Sequence, residues 1–370
     1  MHHLPAFSAF RRPLRPLVLR LPNLMLAIAA ALPWALLILL AAGLVYAGTA
    51  RAQESAQETV TCNGVSLVDR LSTTAPEKLA SARTQAAATA NGQGRLWKID
   101  KPGRDPSWLF GTMHVTDPRV TELPDAAQAA FDTAGTVVIE TIDILDPVKA
   151  QAALLTNPEL TMFTDGSTLT SRLSEEDASL VEAELSRRGI PLALVSRMKP
   201  WMIAGMVAMP ACELARKADG VEFLDIRIAS SATAQGKQLL GLESIGEQMT
   251  AMADLPIEFH LRGLVETIRL SDLMPDIMAT MTELYLQGEI ALIMPVILAA
   301  GPEDTGDDLD GYAEFEARIV TLRNHVMAGR AGPILEKGNA FIAVGALHLP
   351  GDEGLVSLLR DAGYTLTAVR

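Results

Sequence analysis

Two short stretches of this 370-residue chain repeat one arrangement of residues that could do chemistry. Phe110-Gly111-Thr112-Met113-His114 and Val344-Gly345-Ala346-Leu347-His348 each run from an apolar stretch through a glycine to a histidine three positions on. A glycine at a strand end lets the chain bend or another backbone approach, and the histidine then projects at the sheet rim. One such pattern arises readily by chance. Two copies, each directly after an apolar run, point to a shared purpose. Two glutamates are placed in the same way: Glu140 closes Thr136-Val137-Val138-Ile139, and Glu243 follows Leu239-Leu240-Gly241-Leu242. A carboxylate ending a buried run is costly unless it is paired, hydrogen-bonded or bound to a cation. Two neutral imidazoles with one or two carboxylates make a reasonable ligand set for Mn²⁺, Co²⁺ or Zn²⁺, with an open position for an activated water. Singly, each residue has an ordinary reading as a satisfied strand-end histidine, a helix-capping glutamate or an arginine partner. Together, His114, Glu140, Glu243 and His348 read as one polar site.

The remaining polar residues call for plainer readings. His325 follows Asn324 on an expected helix and so faces about 100° away from it; a solvated or core position is expected, and likewise for His260. Met198, Met202, Met206 and Met209 recur at helical spacing and read as helix core. The acidic stretch at 301–311 lacks the acid spacing and closing glutamate of a calcium loop, so it reads as a solvated loop. Ser244 has no nucleophile-elbow sequence around it.

To position these groups, the chain supplies apolar runs at Arg95–Ile99 with Trp108–Phe110, Thr136–Ile139, Gln238–Leu240 and Ala340–Val344, each expected to be a buried strand. Helical patterns fill the intervals: 66–82, 124–133, 174–188, 201–218, 220–234, 256–288, 312–329 and 354–362. Ser174-x-x-Asp177 opens one of them as a capping box would. Helices interleaved with few strands give an α/β class, with α+β as the variant, and a central mixed sheet covered by helices. The mostly helical stretch at about 145–235 is expected to be an insertion between sheet elements.

Residues 1–52 hold five arginines, no lysine and no acid, so the rest of the chain carries 26 basic against 44 acidic residues, net −18. Such a body repels nucleic-acid phosphates. Arginines at 11–20 precede an apolar stretch at 21–47, and Ala50-Arg51-Ala52 offers a small-x-small cleavage pattern. Two readings are open: a signal peptide removed after Ala52, or an uncleaved anchor in the inner membrane through 21–47. Both export the body, with residues 53–91 as a polar leading segment and 92–370 as the main domain. Cys62 and Cys212 are the two cysteines. In an oxidising compartment they read as one disulfide, the alternative being two free thiols.

The patterns Leu96-Trp-Lys-Ile99, Trp108-Leu-Phe-Gly-Thr-Met-His114, Val138-Ile-Glu140, Lys199-Pro-Trp201, Gly241-Leu-Glu-Ser244 with Gln248, Arg323-Asn324-x-x-Met327 and Ala343-Val-Gly-Ala-Leu-His-Leu-Pro-Gly351 together resemble the TraB/GumN family. That family includes the Tiki-type membrane-anchored metalloproteases, and the resemblance covers roughly 92–370. It implies divalent-metal-dependent proteolysis in which His114, His348 and Glu140 carry the metal and the chemistry, with Glu243 a further candidate. Arg323 and Asn324 would organise the site or bind a substrate carbonyl or carboxylate. The expected function is therefore a metal-dependent hydrolase of the bacterial envelope, foremost a peptidase, acting on a peptide or small-molecule substrate. The alternatives are a non-catalytic envelope protein that sequesters such a ligand, and esterase-type hydrolysis. Substrate, metal identity and oligomeric state are left open.

Overall fold

The computed structural model describes residues 62–301 and 316–369. The expected export segment and most of the acidic loop lie outside these residues; among those described, no helix is long and apolar enough to cross a membrane. The strands are β1 (Leu96–Asp100), β2 (Ser107–Thr112), β3 (Thr136–Ile139), β4 (Gln238–Gly241), β5 (Ala340–Gly345) and β6 (Thr365–Val369). They form one mixed sheet in the order β4-β3-β5-β2-β1-β6. β4, β3, β5 and β2 run parallel, whereas β2–β1 and β1–β6 are antiparallel.

The early helices are α1 (Leu67–Thr74), α2 (Pro76–Ala88), α3 (Asp125–Thr133), α4 (Pro147–Thr156), α5 (Glu175–Arg187) and α6 (Leu192–Val195). Next come α7 (Pro200–Val207), α8 (Ala211–Ala218), α9 (Leu224–Ala234), α10 (Ile245–Ala253) and α11 (Ile257–Arg269). The last are α12 (Met274–Gln287), α13 (Ile293–Ala300), α14 (Leu322–Leu335) and α15 (Leu355–Asp361).

β5 reads as an unbroken apolar run because helices cover both sheet faces. Ala340, Ile342 and Val344 pack with Met327, Ala331 and Leu335 of α14 and with Leu355, Val356 and Leu359 of α15. Phe341 and Ala343 point the other way, into a cluster with Phe131 of α3 and Leu224 and Ile228 of α9. Phe131 meets Phe341 edge-on at 5.7 Å between ring centroids. The class is thus α/β, as the alternation of runs and helical patterns indicates.

The helix boundaries differ from the pattern where proline intervenes. The first expected helix breaks at Ala75 and resumes with Pro76 at its start. The 201–218 pattern splits at Pro210, and the 256–288 pattern splits around a 3-10 turn at Ser271–Leu273 that leads into Pro275. Proline lacks the amide hydrogen and clashes with the preceding turn, so it opens helices rather than continuing them. Pro333, near the end of α14, is carried inside the helix, which therefore runs past the expected stop at 329. The methionine stripe is half-buried; Ile203 and Val207 are the residues of α7 that enter the core. The helical stretch has its own cluster (Phe163, Leu169, Val181, Leu185, Val195, Ile203, Val207), closed by Leu264 and Ile268 of α11. α9, at the end of that stretch, packs on the sheet instead.

Cys62 and Cys212 form a disulfide across 150 residues. Such a bond belongs to an oxidising compartment.

Candidate functional site

The four parallel strands deliver one chemical group each beyond their C-terminal ends, the edge where ligands collect in open α/β sheets. β2 leads to His114, β3 to Glu140, β4 to Glu243, and β5 through a 3-10 turn at Ala346–His348 to His348. The register pairs Thr112 with Gly345, and Ile139 with both Ala343 and Gly241, so these ends lie abreast. Backbone bonds tie the two acids together: the amides of Leu242 and Glu243 donate to the Glu140 carbonyl at 3.0 and 2.7 Å.

The glycines explain the repeated pattern sterically. A Cβ on Gly345 would stand 3.1 Å from Glu140 Oε1, 3.6 Å from His348 Cδ2 and 3.9 Å from His114 Nε2. Three of the expected site residues therefore surround the space that this missing side chain leaves free. Gly111 serves packing. Its Cβ would fall 2.7 Å from Leu349 Cδ1 and 2.9 Å from Ala346 Cα, so the turn carrying His348 can lie against β2 only if no side chain intervenes. Gly111→Ala is expected to cost about 1–3 kcal/mol by overpacking. Urea unfolding measures this; an unchanged midpoint would mean that the Ala346–Leu349 turn yields freely.

Arg323, at the start of α14, binds both acids. Its Nε donates to Glu243 Oε1 and Oε2 at 3.1 and 3.0 Å. Its Nη2 donates to Glu140 Oε2 and Glu243 Oε2, each at 2.7 Å. Gln248 Nε2 adds bonds to Glu140 Oε2 (3.1 Å) and Glu243 Oε2 (3.4 Å). Glu140 Oε1 accepts the Gly345 amide at 2.7 Å. Burial pushes the Glu140 carboxyl up, but the charges of His348, His114 and Arg323 and the Gly345 amide outweigh it, bringing it down to about 2. Glu140 is therefore ionised throughout the physiological range. A π-helical stretch, Glu316–Thr321, precedes α14, and the carbonyl of Ile319 within it accepts from Arg323 Nη1 at 3.3 Å.

Asn324, one position on, fixes His348. Asn324 Nδ2 donates to the Glu353 carbonyl at 2.8 Å, which turns its Oδ1 toward His348 Nδ1 at 2.7 Å. Nδ1 must then carry the proton, leaving the Nε2 lone pair free 3.8 Å from Glu140 Oε1. Burial pushes this imidazole down to about 4, against the pull of Glu140, so His348 is neutral near pH 7. That tautomer and charge are what a metal-ligating or proton-accepting histidine needs.

His114 differs. Its side chain is 50% exposed, and Nε2 lies 3.4 Å from Asp225 Oδ1. Burial disfavours its charge, but the Asp225 carboxylate more than compensates and raises the ring to about 9. Solvent access on the open half tempers that rise. The loop just after His114 is clamped: Thr116 donates its amide and hydroxyl to buried Glu213, which also pairs with Arg216. Of the other histidines, His260 is buried against the Met252 carbonyl and His325 pairs with Glu353 on the surface, as the plain readings anticipate.

Pattern reading missed Asp225. An acid in the first turn of a helix normally reads as a solvated residue favoured by the helix dipole. A signal was present, however: Asp225, Ala229 and Ala232 fall at i, i+4 and i+7, and all three are buried.

The donors can be weighed as a cation site. Two imidazoles and a carboxylate around the space over Gly345, with a buried Asp225 oxygen that has no partner among the described residues, fit Mn²⁺, Co²⁺ or Zn²⁺ in kind. Among the described residues no three His, Cys, Asp or Glu side chains already converge on one point, and Arg323 supplies the positive charge beside Glu140 and Glu243.

Comparison with known proteins accords with the motifs. The family model described as TraB/PrgY/gumN family matches residues 95–368. The chain is 24% identical over 313 residues to Metalloprotease TIKI2 of Danio rerio, covering 73% of this chain and 60% of that protein. It is 26% identical over 321 residues to Metalloprotease TIKI1 of Homo sapiens, with the same 73% and 60% coverage. The chain thus spans about 60% of the length of these relatives. No solved structure matches.

Proposed function

From a chain that belongs to the TraB/PrgY/gumN family, we propose a metal-dependent hydrolase, acting as a peptidase in the bacterial cell envelope. The body would lie in the periplasm, free or held at the inner membrane through residues 21–47. The observation that carries this reading is that His114, Glu140 and His348 each place an atom within 3.9 Å of the Cβ position that Gly345 leaves empty. His348 through Nε2, Glu140 through Oε1 and His114, once its ring gives up its proton, would hold the ion. When bound, a divalent cation polarises a carbonyl and lowers the pKa of a coordinated water.

The protein's own groups account for the rest. Asn324 keeps the His348 lone pair aimed at the site. Arg323 and Gln248 hold Glu140 Oε2, so that Oε1, which also accepts the Gly345 amide, is the oxygen left toward the open space. Glu243, bound by Arg323 through both oxygens, orients that arginine and keeps its charge from dominating the site. Metal content of the purified full chain tests the reading. After addition of Mn²⁺, Co²⁺ and Zn²⁺ in turn, about one ion per chain is expected in the wild type and none in a folded His114→Ala/His348→Ala variant. A wild-type chain that retains no ion would sink the metal-dependent reading.

One observation favours a second reading, capture without cleavage. Arg323 already pairs with both glutamates and offsets one of their two charges, supplying a cation from the protein itself. Candidate peptides that bind without yielding new fragments would support it.

A further inference from the structure

One buried group of this site does more than its pairing with His114 explains. Asp225, in the first turn of α9, is 3% exposed. Thr112 Oγ1 donates to its Oδ1 at 2.8 Å, whereas Oδ2 is buried with no hydrogen-bond partner among the described residues. Leaving a carboxylate oxygen buried and unpartnered is costly, and groups so placed call for an explanation. Oδ1 also lies 3.4 Å from His114 Nε2, the nitrogen that faces the space over Gly345.

The spacing is informative. Two ligands about 2.0–2.2 Å from one tetrahedral cation stand roughly 3.3–3.6 Å apart. The 3.4 Å between His114 Nε2 and Asp225 Oδ1, an ion pair here, falls within that range. His348 Nε2 and Glu140 Oε1, at 3.8 Å, form a second and slightly wider pair on the same space. Glu243 is placed differently. Both of its oxygens are taken by Arg323, and Gln248 donates to one of them. A cation approaching Glu243 would have to displace a guanidinium that is itself mostly buried.

We propose that Asp225, rather than Glu243, completes the cation-binding set with His114, Glu140 and His348. This rests on the metal-dependent reading of the site. The set is then two imidazoles and two carboxylates, a nitrogen-and-oxygen combination suited to Mn²⁺, Co²⁺ or Zn²⁺. Thr112 acts as the outer partner that fixes the Asp225 carboxylate, as ligating carboxylates are commonly held. The proposal also separates the roles of the acids: Asp225 and Glu140 face the ion, while Glu243 holds the arginine.

Co²⁺ binding to the purified full chain, followed by calorimetry and visible absorption, tests this. Asp225→Asn keeps the side-chain shape and the contact with Thr112; it is expected to weaken Co²⁺ binding about 100-fold and to alter the absorption bands. Glu243→Gln, which loosens Arg323 and through it Glu140, is expected to weaken Co²⁺ binding about 10-fold and to leave the absorption bands unchanged, since that residue makes no contact with the ion. Asp225→Cys gives a direct signature: a thiolate-to-cobalt charge-transfer band in the near ultraviolet appears only if position 225 ligates. This band decides the matter if Asp225→Asn fails to fold. Wild-type affinity in Asp225→Asn, or Co²⁺ binding by Asp225→Cys without the band, overturns the proposal and leaves the metal-dependent reading standing. A wild-type chain that binds no Co²⁺ or other divalent ion overturns both.

Discussion

Arg323→Met is expected to lower the unfolding free energy by about 3–5 kcal/mol, the range for removing one partner of a buried ion cluster. Arg323 donates to both oxygens of Glu243 and to Glu140 Oε2, and the three side chains are only 14%, 3% and 10% exposed. Methionine preserves much of the volume, so the loss reports charge and hydrogen bonding rather than a cavity. Two carboxylates would remain in a low-dielectric pocket with Gln248 and the Gly345 amide as their chief donors. A double-mutant cycle separates the contributions. Arg323→Met combined with Glu243→Gln should recover part of the loss, because only one uncompensated charge then stays buried. A single-variant loss below about 1 kcal/mol would mean that the carboxylates find another cation or water.

The same cluster has a signed pH dependence. In the folded state Glu140 sits at about 2, below its ordinary value of 4.5. A depressed carboxyl stabilises the fold above its unfolded-state pKa, and that stabilisation is lost as pH falls through the folded value. Wild-type stability should therefore decline between about pH 5 and pH 2 as Glu140 takes up its proton. His348 is neutral above about 4, so near pH 7 the positive charges beside Glu140 are Arg323 and the raised His114. Arg323→Met removes one of them, and Glu140 in that variant should protonate at a higher pH. The stability gap between wild type and variant is expected to be widest above pH 5 and to narrow in acid. Urea unfolding across that range measures it, and a gap independent of pH would argue against charge as the cause.

Most of the sheet is legible from sequence because its parallel strands are buried on both faces. Val137, Val138 and Ile139 or Ala340 to Val344 cannot be anything but interior. β6 escapes the same reading: in Thr365–Val369 only Leu366 is buried, as suits an edge strand that offers one residue to the core. Helix number is harder to read than helix presence, since apolar periodicity continues across Pro76, Pro210 and Pro275 although the backbone does not. The site divides along the same line. His114, Glu140, Glu243 and His348 stand out because each interrupts or ends an apolar run. Their assembly depends on strand order, which places β3 between β4 and β5 and is invisible locally. Arg323 and Asn324 were found through resemblance to the family alone. Neighbours on α14, they act in different directions, one toward the acids and one toward His348, because successive helical residues point about 100° apart. Asp225 was hidden by its position in a helix first turn, where acids are ordinary.

Replacing both cysteines, Cys62→Ser with Cys212→Ser, is expected to lower stability by about 5 kcal/mol at most, from the chain entropy of a loop this long. The bond joins residues 150 apart, with Cα atoms at 5.5 Å, and the unfolded chain without it samples far more conformations. The consequence should reach the site. Cys212 opens α8 next to Glu213, which is 2% exposed and accepts from the amide and hydroxyl of Thr116. Arg216 of the same helix donates to Glu213, to Thr116 Oγ1 and to Cys62 Sγ. The disulfide thus anchors the helix that clamps the loop two residues beyond His114. Without the bond, Thr116 should lose amide-exchange protection and His114 should become more mobile. The core of β5, walled by α14 and α15, should keep its protection until global unfolding. Hydrogen exchange on oxidised and reduced protein distinguishes these regions. If protection fell equally at Thr116 and along β5, the disulfide would act on global stability only, and the proposed link from Cys212 through Glu213 to His114 would fail.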